Sequence, residues 1–271
     1  MNMQDVGRRG LVLLGCGKIG SALLRGWLKG GLAPSSVWVL EPFPSDWLTG
    51  LDGPHLNTDL PDDPAIVLVA VKPQMMGEAL PALSALGNGS TLFLCVAAGT
   101  PISAYESVLG DQTPIIRAMP NTPAAVGQGI TALIGNGHAD EGAMALAETL
   151  MSAVGQTVRL QDEAQMDAVT AVSGSGPAYV FHLIETLAAA GEAEGLPSEL
   201  AMQLAKATVA GAGALAEQAH EGAAQLRADV TSPGGTTAAA LAVLMDDAAG
   251  FPALMKRAVK AAAERSRELG Q

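Results

Sequence analysis

The chain has 271 residues, 49% of them hydrophobic and 15% charged, which allows about two domains with sizeable cores and excludes a disordered chain. Its formal net charge of −12 supplies no basic face for an electrostatic nucleic-acid binder. Two distant cysteines, Cys16 and Cys95, and four scattered histidines give no metal-ligand or disulfide spacing, and no apolar run approaches a membrane span. The expectation is a cytoplasmic protein without membrane or nucleic-acid partners.

Short apolar runs alternate with helical patterns from residue 11 to about 160. The runs are LVLL (11–14), SVWVLE (36–41), AIVLVAV (65–71), TLFLCVA (91–97) and PIIRAM (114–119). Continuous hydrophobicity of this kind marks strands buried on both faces, so the spacing predicts a parallel sheet covered by helices. Helix-like stretches fall at 18–29, 74–86 and 101–109, and ITALIGN (130–136) and QTVRL (156–160) add strands around a helix at 140–153. Past residue 161 helical periods take over, at 163–172, 178–194, 198–219, 236–246 and 252–268. The helix at 178–194 is apolar almost all round through Ala190, which predicts burial on most sides. The predicted domains are 8–160 and 161–271.

GCGKIG follows the first strand and opens the first helix, with Gly15, Gly17 and Gly20 in GxGxxG spacing. The first glycine permits the turn, the second lets backbone approach a pyrophosphate, and the third lets helix and strand pack closely. Strand, turn and helix stand in the order a Rossmann-type dinucleotide site requires; a tight turn without ligand is the alternative. Glu41 closes the next strand about 20 residues on, where a carboxylate accepts bonds from a ribose diol and repels a 2′-phosphate. An exposed strand-end acid is the plainer reading. Lys72, in VAVKPQ, and Asn121, between Pro120 and Pro123, leave strands at the ligand-binding edge of such a sheet. A solvated lysine and a rigid turn are their alternatives.

AVSGSGPAYVF (171–181) and VTSPGGTTAA (230–239) both lead hydroxyls, glycines and a proline into a helix. A helix N-terminus is an anion site, so Gly234 to Thr237 can hold a carboxylate with amides and hydroxyls together. Capping alone explains Ser232 or Thr236 but needs neither both glycines nor the extra threonine.

The motifs GCGKIG, AVKPQ, MPNTP, AVSGSGPAYVF, DVTSPGGTTAAAL and RSREL, taken in this order, resemble the pyrroline-5-carboxylate reductase family across nearly the whole chain. The resemblance implies an α/β Rossmann-type domain followed by an all-α dimerisation domain intertwined with a second subunit, with dimers able to form decamers. It implies reduction of 1-pyrroline-5-carboxylate to L-proline by NADPH or NADH, the last step of proline biosynthesis. The implied cofactor contacts are Gly15, Cys16, Gly17, Lys18, Ile19 and Gly20, with Asn57, Ala70, Val71, Lys72, Pro73, Ala97 and Ala98. The implied substrate contacts are Ser232, Thr236 and Thr237. On this reading the amides around Gly235 and Thr236 hold the carboxylate of a small cyclic imine, and Thr237 bonds the ring nitrogen as the catalytic residue. Glu41 followed by Pro42 departs from the small hydroxyl or basic residue common in NADP-preferring members. NADH is therefore expected to serve at least as well as NADPH.

Two other functions compete. A β-hydroxyacid dehydrogenase needs a catalytic lysine in the helical half, but Lys206, Lys256 and Lys260 all stand in alanine-rich helical contexts away from SGSGPAY. A non-catalytic NAD(H)-sensing module needs no second anion site. Glu217 and Glu221 are weak candidates for the ring nitrogen, and a solvated helix carboxylate is the plainer role for each.

Overall fold

The computed structural model describes residues 2–270. Eight strands form one sheet: β1 (Leu11–Leu14), β2 (Val37–Leu40), β3 (His55–Leu56), β4 (Ile66–Val69), β5 (Leu92–Cys95), β6 (Ile115–Met119), β7 (Gly129–Gly135) and β8 (Gly155–Arg159). Their spatial order is β3-β2-β1-β4-β5-β6-β7-β8. Strands β1 to β6 pair in parallel, as the continuous apolar runs predict. The period-two alternation of a strand then sorts side chains between two cores. Leu11, Leu13, Ile66 and Leu68 join Leu23, Leu24 and Trp27 on one face, while Val12, Leu14, Val67 and Val69 join Phe93 and Tyr105 on the other.

One strand departs from the expected parallel sheet. β7 runs antiparallel to β6, because the connection 120–128 is shorter than the dozen or more residues of a parallel crossover. β8, reached through a full helix, returns parallel to β7.

The helices of this part are α1 (Met3–Arg9), α2 (Lys18–Lys29), α3 (Asp46–Thr49), α4 (Met76–Ala79), α5 (Ile102–Leu109), α6 (Glu141–Ser152) and α7 (Met166–Val169). α1 begins ahead of the predicted start of the domain at residue 8 and is opened by an Asn2–Asp5 capping box. The helix expected at 74–86 is instead a short α-turn between two 3₁₀ segments. Pro81, which lacks an N–H, stands where the ladder would have continued.

The remaining helices are α8 (Gly176–Ala193), α9 (Ser198–Gln218), α10 (Ala223–Asp229), α11 (Thr236–Leu244) and α12 (Phe251–Leu269). The described residues divide into two compact units, 2–174 with 262–270, and 175–261. In the first of these, residues 161–174 and 262–270 pack with the sheet. Glu163 is ion-paired to the buried Arg117, Met166 and Ala171 are buried, and Ser266 donates to Asp167 at 2.6 Å. None of these long-range ties has a local signature.

Within the second unit α8 and α9 pack through Ala188, Ala201 and Ala205, which are its buried core. α8 is apolar almost all round through Ala190, but its expected burial fails within a single chain. Val180, Phe181, Leu183 and Leu187 are all exposed, Phe181 by 59%. Burial in the chain's own core therefore does not explain this composition. Among the described residues no helix is long and apolar enough to cross a membrane.

Candidate active site

The strand order reverses between β1 and β4, and the crevice outside the carboxyl ends of such neighbours is the ligand position of an open α/β sheet. GCGKIG lies there, and each glycine has a separate reason. Gly15 has φ +91°, and a Cβ on it would meet the Ala70 carbonyl oxygen and Val71 Cγ1, each at 2.9 Å. Gly20 abuts the Gly15 carbonyl oxygen, so helix and turn close on each other. A Cβ on Gly17 meets nothing within 4 Å. Gly17 is also the N-cap of α2, and no side chain caps that helix. The turn thus leaves open space beside uncapped helix amides, which is what a pyrophosphate needs; the loop fits a dinucleotide. Lys18 is exposed and Ile19 partly buried on the first turn of α2.

Glu41 follows β2 directly, and its carboxylate turns back onto the loop. Oε2 accepts from the Cys16 amide at 2.7 Å and Oε1 from the Phe43 amide at 3.0 Å. Cys16 is buried and unpaired, and its thiol is pushed up to about 11 by burial first and then by the Glu41 carboxylate, against a smaller opposing effect of Arg25. Both influences keep it a neutral thiol at physiological pH. The buried Cys95 thiol is raised for the same first reason. Asn57, at φ +52° after β3, spends its side chain on Glu41. The Glu41 amide donates to Oδ1 and Asn57 Nδ2 donates to the Glu41 carbonyl, both at 2.9 Å.

Ala70, Val71, Lys72 and Pro73 run along the carboxyl end of β4, with Lys72 exposed at the start of a 3₁₀ turn. Ala97 is buried beyond the end of β5, and Ala98 is partly buried beside it. Asn121 has less freedom than a ligand-seeking amide. Its Oδ1 accepts from the Ile130 amide at 2.9 Å and its Nδ2 donates to Ser173 Oγ at 3.2 Å. Ser173 is a contact that sequence reading missed, because nothing local pairs residues 52 positions apart. Residues 170–174 form a single π-helical turn, in which Gly174 packs on Met119 Cε. Such turns recur at functional sites.

The stretch 230–239, expected from the sequence to hold the substrate, belongs to the second unit. Thr231 hydrogen-bonds back to the Arg227 carbonyl at 2.6 Å and so closes α10. Gly234 takes φ +70°, Gly235 is the N-cap of α11, and no side chain caps the helix. Ser232, Thr236 and Thr237 stand beside these amides without serving as caps. Capping does not account for this group of hydroxyls.

A family model described as pyrroline-5-carboxylate reductase dimerisation matches residues 163–269, and one described as NADP oxidoreductase coenzyme F420-dependent matches residues 10–98. The pyrroline-5-carboxylate reductase of Pseudomonas aeruginosa is 37% identical over 266 residues, 96% of this chain and 97% of that protein. The chain belongs to the pyrroline-5-carboxylate reductase family. The reductase of Pisum sativum is 38% identical, covering 96% of this chain and 95% of its own. Among solved structures, the Coxiella burnetii pyrroline-5-carboxylate reductase superposes with a TM-score of 0.90 at 33% identity, covering 97% of this chain and 99% of that one. The Plasmodium falciparum pyrroline carboxylate reductase with NADP bound gives 0.84 at 28%, covering 97% and 98%. Family membership explains the exposed apolar faces of α8, since the helical part is a dimerisation domain.

Proposed function

We propose that the chain reduces 1-pyrroline-5-carboxylate to L-proline with NADPH or NADH, the last step of proline biosynthesis. The observation that carries this reading is a pair of uncapped, glycine-opened helix starts, α2 and α11, in a member of this family. The reaction needs two anion sites, one for a pyrophosphate and one for a carboxylate.

Gly15, Cys16, Gly17, Lys18, Ile19 and Gly20 form the pyrophosphate site through backbone and helix terminus. Glu41 and Asn57 serve the adenosine end, while Ala70, Val71, Lys72, Pro73, Ala97 and Asn121 flank the nicotinamide end. The nicotinamide, when bound, supplies the hydride that the imine carbon takes up. The amides of Gly235 and Thr236, with Ser232, hold the substrate carboxylate. Thr237 hydrogen-bonds the ring nitrogen and fixes the imine face presented to the reductant. Because the iminium is the better hydride acceptor, binding an already protonated imine removes the need for a dedicated general acid, and positioning carries most of the rate.

The active form is a homodimer built through the helical domain, with a decamer of five such dimers as the expected assembly and the cytoplasm as its place. A reductase assay with 1-pyrroline-5-carboxylate and each reduced cofactor in turn tests the activity. Imine-dependent oxidation of NADH or NADPH supports it, and none with either sinks it. Light scattering on the purified protein gives the mass of the assembly.

A further inference from the structure

Glu41 is held in a way that decides which dinucleotide the loop accepts. Its main chain is clamped on both sides by one amide group: Asn57 accepts from its N–H and donates to its C=O, as a neighbouring strand would. Asn57 is itself fixed, since its own amide donates to the Val39 carbonyl at 2.9 Å. The carboxylate at the end of this clamp accepts from Cys16, inside the phosphate loop, and from Phe43. Two hydrogen bonds thus fix the main chain of Glu41 and two hold its carboxylate, one of them from the loop, so the group cannot swing aside without leaving amides unpaired. Arg25, whose charge acts on the neighbouring Cys16 thiol, has its guanidinium carbon 3.5 Å from the centroid of the Trp47 ring and is engaged there.

A fixed carboxylate accepts hydrogen bonds from a diol and repels a phosphate monoester. We propose that Glu41 and Asn57 together form a selectivity lock that admits the 2′,3′-diol of NADH and rejects the 2′-phosphate of NADPH. Asn57 acts in it as a positioning residue through Glu41. The inference rests on the reading of GCGKIG as a dinucleotide site. It sets this chain apart from the Plasmodium falciparum relative, whose solved structure has NADP bound.

The test uses ligands that carry only the adenosine half, so that binding is read without turnover. Isothermal titration of the full-length protein with ADP-ribose and with 2′-phospho-ADP-ribose is expected to show the unphosphorylated ligand at least about tenfold tighter, or roughly 1.4 kcal/mol. Glu41→Gln keeps an acceptor for the Cys16 amide and removes the charge. It is expected to bring the two affinities within about threefold, chiefly by tightening the phosphorylated ligand. Asn57→Gly keeps the left-handed backbone and removes the clamp; it is expected to narrow the ratio by at least about threefold. A merely structural role for Asn57 would weaken both ligands alike and leave their ratio unchanged, which overturns the positioning claim. Equal or tighter binding of the phosphorylated ligand by the unaltered protein overturns the lock. Binding of neither ligand overturns the dinucleotide reading and the lock with it.

Discussion

At Gly17 and Gly20 the same residue type serves opposite ends, and substitutions separate them. The space beside Gly17 is open, so Gly17→Val is expected to fold with a melting temperature near that of the parent while its side chain fills the pyrophosphate position. Loss of NADH binding in a fluorescence titration checks this, and unchanged affinity in a folded variant rules out the cofactor loop. Gly20→Ala would push a methyl group into the Gly15 carbonyl, so its effect is expected on thermal stability first. Thr231 and Thr237 make a second contrast. Thr231 gives its hydroxyl to the Arg227 carbonyl, and Thr237 stands beside the uncapped start of α11. Thr237→Ala is expected to lower kcat/KM for the imine by about 10- to 100-fold, a loss of roughly 1.5–3 kcal/mol, with cofactor affinity and melting temperature little changed. Thr231→Ala is expected to cost about 0.5–1.5 kcal/mol of stability and little activity. Equal activity losses and equal melting shifts in the two variants would return the cluster to a structural role.

Elements in this fold are tied across long sequence distances by a few charged groups. Arg117, on β6 and 5% exposed, donates to Glu163 Oε1 at 2.8 Å. The same oxygen accepts from the Ile102 amide at the start of α5. One carboxylate oxygen thus joins a strand, a helix start and the segment that leads into the helical domain. Glu163→Ala leaves a buried cation and a helix amide without this acceptor and is expected to destabilise the protein by about 1–3 kcal/mol. Glu163→Gln retains an acceptor and is expected to cost less than half as much. Urea unfolding of both variants measures the difference, and equal losses would show that the charge itself, rather than the acceptor, holds the junction.

For the whole molecule, the uneven distribution of burial governs assembly. The sheet part has two extensive apolar cores, whereas the helical unit has Ala188, Ala201 and Ala205. So small a core cannot offset the conformational entropy of ordering these helices, which need a second chain to cover their apolar faces. Phe181 and Leu187 are exposed on α8. Phe181→Glu combined with Leu187→Glu is expected to abolish the dimer and to unfold the helical unit at a lower temperature than the sheet unit. Light scattering and a two-step melting curve measure this. A dimer of unchanged mass would show that these faces are not the interface.

Much of this was legible in the sequence because it is local. Continuous apolar runs specify strands buried on both faces, GxGxxG specifies a strand–turn–helix, and the paired glycines of SPGG specify a helix start with bare amides. Tertiary structure decided whatever depends on residues meeting from far apart. It committed Asn57 to Glu41, Asn121 to Ser173 and Arg117 to Glu163, and folded residues 262–270 back onto the first unit. It also left α8 exposed in the single chain. Periodicity reports that a face is apolar, and the same composition serves whether its partner lies within the chain or in a second copy.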